Sequence, residues 1–152
     1  MVWVMRTLAV DLGERRVGLA LSDEGGKLAT PFDVVEVSSG EQALEAVGKV
    51  IEAESVRRVV VGLPVEMEDG KVGTAARAAG EWGKKLAARA QVEVVFVDER
   101  LSSFAAEQAL ASRRRSGEKL TRGRKKRQLD AVAAAGFLQE FLDGKLQPIH
   151  IS

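Results

Sequence analysis

"LAVDLGERRVGLALSD", residues 8–23, holds two apolar runs, 7–10 and 17–21, and the first of them ends on a carboxylate, Asp11. Runs this short, split by the polar, glycine-bearing "LGER", read as two strands (residues 4–11 and 16–22) joined by a turn. An unpaired carboxylate at the mouth of a core is costly unless a cation, a partner or water compensates it. Asp11 is therefore the first candidate functional residue.

Residues 32–37 form a third apolar run, which suggests a three-stranded meander. The period then changes. Ala43, Leu44, Val47, Val50 and Ile51 follow Ser39, a candidate N-cap, at helical spacing, and "RRVVVGLP" reads as a β-branched strand ended by Gly62 and Pro64. After the Gly-rich connection "EMEDGKVGT", a helix over residues 74–89 leads into the strand "VEVVFVDE", which again ends on carboxylates. Two further helical segments, 103–112 and 124–142, complete the chain. The order predicts an α/β fold, a mixed five-stranded sheet covered by helices on both faces. In such open sheets functional groups gather at strand ends.

At 152 residues, residues 1–152 are expected to form a single domain. With 45% hydrophobic and 30% charged residues, the composition is that of a folded globular protein. The absence of cysteine excludes a disulfide framework, a thiolate zinc site and cysteine catalysis. "MVWVMR" is too short for a signal peptide, and no window reaches the roughly 18 apolar residues of a membrane span, so a cytoplasmic protein with no membrane partner is expected.

The net charge of +1 hides an asymmetry: "RRRSGEKLTRGRKKR", residues 113–127, holds nine Lys or Arg against one Glu, leaving −7 on the remainder. A basic block on an otherwise acidic chain is the footprint of a phosphate-backbone binder, the alternative being a solvated loop. Arg113, Arg114, Arg115, Arg122, Arg124, Lys125 and Lys126 are its candidate nucleic-acid contacts, with Arg15 and Arg16 as further candidates; if the block is only a solvated loop, the surface is expected around Arg15, Arg16 and Lys71.

Three further carboxylates bear on Asp11. Asp98 and Glu99 end the last strand, and Asp130 forms an i, i+3, i+4, i+7, i+8, i+11 series with Ala133, Ala134, Phe137, Leu138 and Phe141, on the stripe of the final helix that faces the sheet. Side chains alternate along a strand, so only one of Asp98 and Glu99 can look toward Asp11, and periodicity does not choose. Acidic groups converging from strand ends and a helix suit hard divalent cations with positions left open for water and phosphate. Two such ions, roughly 3.5–4 Å apart, can activate a water and stabilise the leaving oxygen of a phosphodiester. The local alternatives are a turn role for Asp11, an Arg100 partner for Asp98 or Glu99, and a helix-dipole role for Asp130.

These motifs resemble those of the YqgF family, also called RuvX, of RNase H-like nucleases, over residues 6–143. "AVDLGERRVGLALSD" is similar to its first signature, "VVVGLP" with Met67, Gly70 and Gly73 to its second, "VDERLSS" to its third and "LDAVAAAGFLQEFLD" to its fourth. The resemblance implies an RNase H-like fold and an acidic triad of Asp11, Glu99 and Asp130, both catalytic and metal-binding, choosing Glu99 over Asp98. It implies Mg²⁺ or Mn²⁺, as two ions, and hydrolysis of nucleic acid: trimming the 5′ end of precursor 16S rRNA or, alternatively, cutting branched DNA such as a Holliday junction, by a monomer or homodimer. Glu66 stands where the family usually has Asn, the loop to Gly70 is one residue longer, and Ser102 and Ser103 replace the usual Thr pair. Ala133 stands where related junction resolvases carry a fourth acid.

Two readings from other classes remain distinct. A non-catalytic nucleic-acid-binding module would not need the triad. Asp11, Gly13 and Gly18 also resemble the first phosphate loop of actin-like ATPases and sugar kinases, but that fold closes two such domains around a nucleotide. His150 reads as a tail residue, Trp3 and Trp82 as packing residues, and Gly13, Gly62 and Gly73 as turn glycines needing unusual φ.

Overall fold

The computed structural model describes residues 6–63, 67–68, 71–101 and 122–150, with the backbone alone for 67–68, 71–72 and 122–128. Strands β1 (Arg6–Leu12) and β2 (Arg16–Ser22) pair antiparallel from Leu8↔Leu21 to Leu12↔Val17. The amide of Gly13 donates to the Arg16 carbonyl at 3.0 Å and closes the turn. Strand β3 (Ala29–Glu36) pairs antiparallel with β2 and begins earlier than residue 32. As an edge strand it tolerates Pro31, and its mostly exposed side chains weaken the apolar signal that sequence reading relies on.

Helix α1 (Gly40–Ala53) is capped as expected, the Ser39 hydroxyl accepting from the Gln42 amide at 3.2 Å. Strand β4 (Val56–Leu63) returns parallel to β1, and a two-residue hairpin, β5 (Met67–Glu68) and β6 (Lys71–Val72), occupies the Gly-rich connection. Helix α2 (Thr74–Ala90) precedes β7 (Glu93–Asp98), which lies parallel to β4 and runs into a 3₁₀ turn, Glu99–Leu101. Helix α3 (Arg122–Leu142) follows. The expected helix over 103–112 lies outside the described residues. The sheet order is β3-β2-β1-β4-β7, the mixed five-stranded sheet anticipated, with helices on both faces.

The period-2 alternation sorts the side chains between two cores. Leu8, Val10, Val17, Leu19, Val59 and Val61 face α1 and α2, where Trp82 is 6% exposed and donates its indole N–H to the Gly40 carbonyl at 3.0 Å. Ala9, Ala20, Val60 and Val97 face α3 and its Ala134, Phe137 and Leu138. The central strands are buried on both faces, which explains their unbroken apolar sequence. Small residues on the α3 side of β1 and β2 let that helix approach the sheet closely.

Candidate active site

Asp11 is two residues beyond Ala9 and therefore on the α3 face of the sheet. Its register partners are both glycines, Gly18 on β2 and Gly62 on β4. A side chain at Gly18 would run into the Asp130 backbone, and a Cβ on Gly62 would lie 2.5 Å from the Phe137 ring. Helix α3 thus rests on the two glycines that flank Asp11, and this brings Asp130 to the end of the sheet where Asp11 lies. Neither Gly13, Gly62 nor Gly73 has the positive φ expected of it; among the described residues Gly26 and Gly144 are the positive-φ glycines. Close approach is the reason for glycine at 62, and at 13 as well, where a Cβ would meet the Arg16 carbonyl at 2.7 Å. Gly73 is the N-cap of α2, with φ −64°.

The same parity separates the neighbouring acids. Val97 pairs with Gly62 and packs against α3, so Glu99 returns to that face as the chain enters the 3₁₀ turn. Asp98 points the other way, is 8% exposed, and accepts from the Arg100 backbone amide at 3.0 Å and from its guanidinium at 3.2 Å. Burial, followed by the Glu99 charge, hydrogen bonding with the Glu99 side chain and the Asp130 charge, pushes Asp11 up to about 9. Glu99 and Asp130 therefore both act on Asp11, and the hard oxygen donors of these carboxylates fit a divalent cation. Among the described residues, however, no three acidic side chains close around a common point.

Asp130 is turned instead toward Arg16, whose Nε donates to its Oδ2 at 2.9 Å. Arg16, expected on the nucleic-acid surface, is thus part of the acidic site. Sequence reading missed both this pair and the glycine seat, although counting register outward from the "LGER" turn would have set Gly18 opposite Asp11. A cleft of about 420 Å³ is lined by Asp11, Gly13, Glu14, Arg15, Arg16 and Asp130. A second, of about 550 Å³, shares Glu14, Arg15 and Arg16 and continues to Glu36, Val37 and Ser38. Arg15 is exposed between them. Arg122, Arg124, Lys125 and Lys126 fall on the first turns of α3. Arg113, Arg114 and Arg115 lie outside the described residues. His150 is exposed, one residue past the Phe96–Ile149 bridge.

The mixed five-stranded sheet with helices on both faces is an RNase H-like fold. Thermus thermophilus RuvC, solved in complex with a Holliday junction substrate, superposes with a TM-score of 0.59 at 18% identity, covering 95% of this chain and 99% of that one. The chain belongs to the family described as "RuvX: Holliday junction resolvase", which matches residues 5–144. It is 42% identical over 141 residues to a protein of Anaeromyxobacter sp. and 40% identical over 141 residues to one of Chloroflexus aggregans, both named "Putative pre-16S rRNA nuclease". These alignments cover 93% of this chain and 98% and 95% of the relatives. Among the described residues no helix is long and apolar enough to cross a membrane.

Proposed function

We propose that this protein is a divalent-cation-dependent nuclease that trims the 5′ end of precursor 16S rRNA, with Asp11, Glu99 and Asp130 as its catalytic carboxylates. The observation that carries the reading is that Asp11, at its strand end, and Asp130, on α3, line one open cleft, with Glu99 close enough for its charge to act on Asp11. The names of the two relatives support the RNA substrate.

Asp11, Glu99 and Asp130 would hold Mg²⁺ or Mn²⁺, and a pair of such ions would supply water activation and stabilisation of the leaving 3′ oxygen. The chain's own contribution is positional. The β1–β2 hairpin sets Asp11, the turn after β7 sets Glu99, and the glycine seat sets Asp130. Arg15, exposed between the two clefts, is placed to meet substrate phosphates, and the sequence supplies further cations for such contacts in the basic block of residues 113–127.

A second reading, cleavage of branched DNA, is supported by the family description and by the fold shared with a resolvase solved on a Holliday junction. Cleavage of a precursor 16S rRNA 5′ fragment and of an immobile four-way junction, side by side with Mg²⁺ and with Mn²⁺, separates them. Cutting of the RNA alone supports the first reading, cutting of the junction alone overturns it in favour of the second, and no cutting of either, with binding retained, leaves a non-catalytic module.

A further inference from the structure

Arg16 occupies an unusual position for a cation at an acidic site. Its Nε bonds the one carboxylate of the three that α3 contributes, while its side chain lines both clefts. About a third of each partner's side chain is exposed, at 32% for Arg16 and 30% for Asp130, so the pair is partly solvated and held by a single donor. Pairs of this kind are weak, because water competes for both partners. A divalent ion brings twice the charge and a strong preference for carboxylate oxygen, and it displaces a monodentate guanidinium from Asp130. Arg16 cannot then discharge itself by losing a proton. Its guanidinium fork matches a phosphodiester, and Arg16 also lines the second cleft.

We propose that Arg16 is an exchangeable counter-ion: it neutralises Asp130 until a divalent cation takes that carboxylate, then transfers to a phosphate of the nucleic acid, so that cation loading and substrate binding reinforce each other. This rests on the reading of Asp130 as a cation ligand. The exchange also explains why the three acids do not close together while Arg16 holds Asp130.

The test uses the full chain, Mn²⁺ titrated calorimetrically and a fluorescent precursor 16S rRNA 5′ fragment whose binding is read by anisotropy with and without Ca²⁺, for wild type, Arg16→Gln and Arg16→Lys. Removing the competitor tightens Mn²⁺ binding by roughly two- to fivefold in Arg16→Gln. In wild type, the ¹⁵Nε resonance of Arg16 shifts on Mg²⁺ titration, and Ca²⁺ tightens RNA binding by a larger factor than in Arg16→Gln. Arg16→Lys, which keeps the charge, retains part of that difference. If wild type binds Mn²⁺ and Arg16→Gln binds it equally or more weakly, Arg16 merely props Asp130 and the exchange is overturned while the nuclease reading stands. If wild type binds no Mn²⁺, both fall together.

Discussion

Gly18 leaves open the space that the backbone of Asp130 fills, so α3 lies directly on β2 at the position opposite Asp11. The separation of these two acids is therefore set by a missing side chain. Gly18→Ala forces the helix backbone away from the sheet, whereas Gly62→Ala displaces the Phe137 ring. Overpacking costs about 1–3 kcal/mol, and Gly18→Ala falls at the upper end because backbone cannot rotate aside. Urea unfolding measures both. At a temperature where both variants are folded, Gly18→Ala loses more cleavage activity; equal losses would show that Gly18 does not set the site.

Asp11→Asn, Glu99→Gln and Asp130→Asn each reduce cleavage to background while leaving the fold and most RNA binding intact, since the positive groups are untouched. Asp98→Asn is the contrast. It weakens the Arg100 contacts and costs stability, yet keeps cleavage, because Asp98 lies across the sheet from the acidic site. Single-turnover cleavage with circular dichroism on each variant checks this, and an Asp130→Asn protein that still cuts would remove Asp130 from the mechanism.

The raised Asp11 group makes metal-free stability depend on pH with a defined sign. The folded state keeps this proton up to about 9, while the unfolded chain gives it up near the ordinary 3.8. Between those values the native state binds more protons, so the unfolding free energy contributed by Asp11 falls as pH rises, and flattens beyond about 9. In EDTA, thermal melting should decline across that window and the decline should lessen in Asp11→Asn. Mg²⁺ should raise stability most at the alkaline end, where the ligand is already ionised. An Asp11→Asn protein with the wild-type pH profile would contradict the assignment.

Neutralising Arg113, Arg114 and Arg115 together should weaken RNA binding similarly for all sequences and flatten its salt dependence. Every phosphate that is no longer neutralised lowers the magnitude of d log K/d log[salt] by about 0.7–0.9. A triple variant with the wild-type slope would make this block a solvated loop and move the nucleic-acid surface to Arg15 and Lys71.

Local periodicity carries much of this fold. The 7-residue strands around "LGER", the Ser39 cap and the placement of Asp130 on a buried stripe all follow from periods of 2 and 3.6, which depend on neighbours close in the chain. The β5–β6 hairpin escapes such reading because two-residue strands leave no periodic signal. Turn φ is the wrong reason for glycine at 13 and 62, since it applies a local rule where the constraint is a close approach of other backbone or side-chain atoms.

The alternation of the main strands and helices and the strand-end position of Asp11 are legible in the sequence, while the choice of Glu99 over Asp98 rests on family resemblance. Only the packed fold seats α3 on Gly18 and Gly62 beside Asp11 and brings Asp130 to Arg16. Arg16 and Asp130 are 114 residues apart, and the contact exists only once a helix has docked on a completed sheet. Docking depends on which small side chains let two backbones approach, a property of the packed layers that no window of sequence contains.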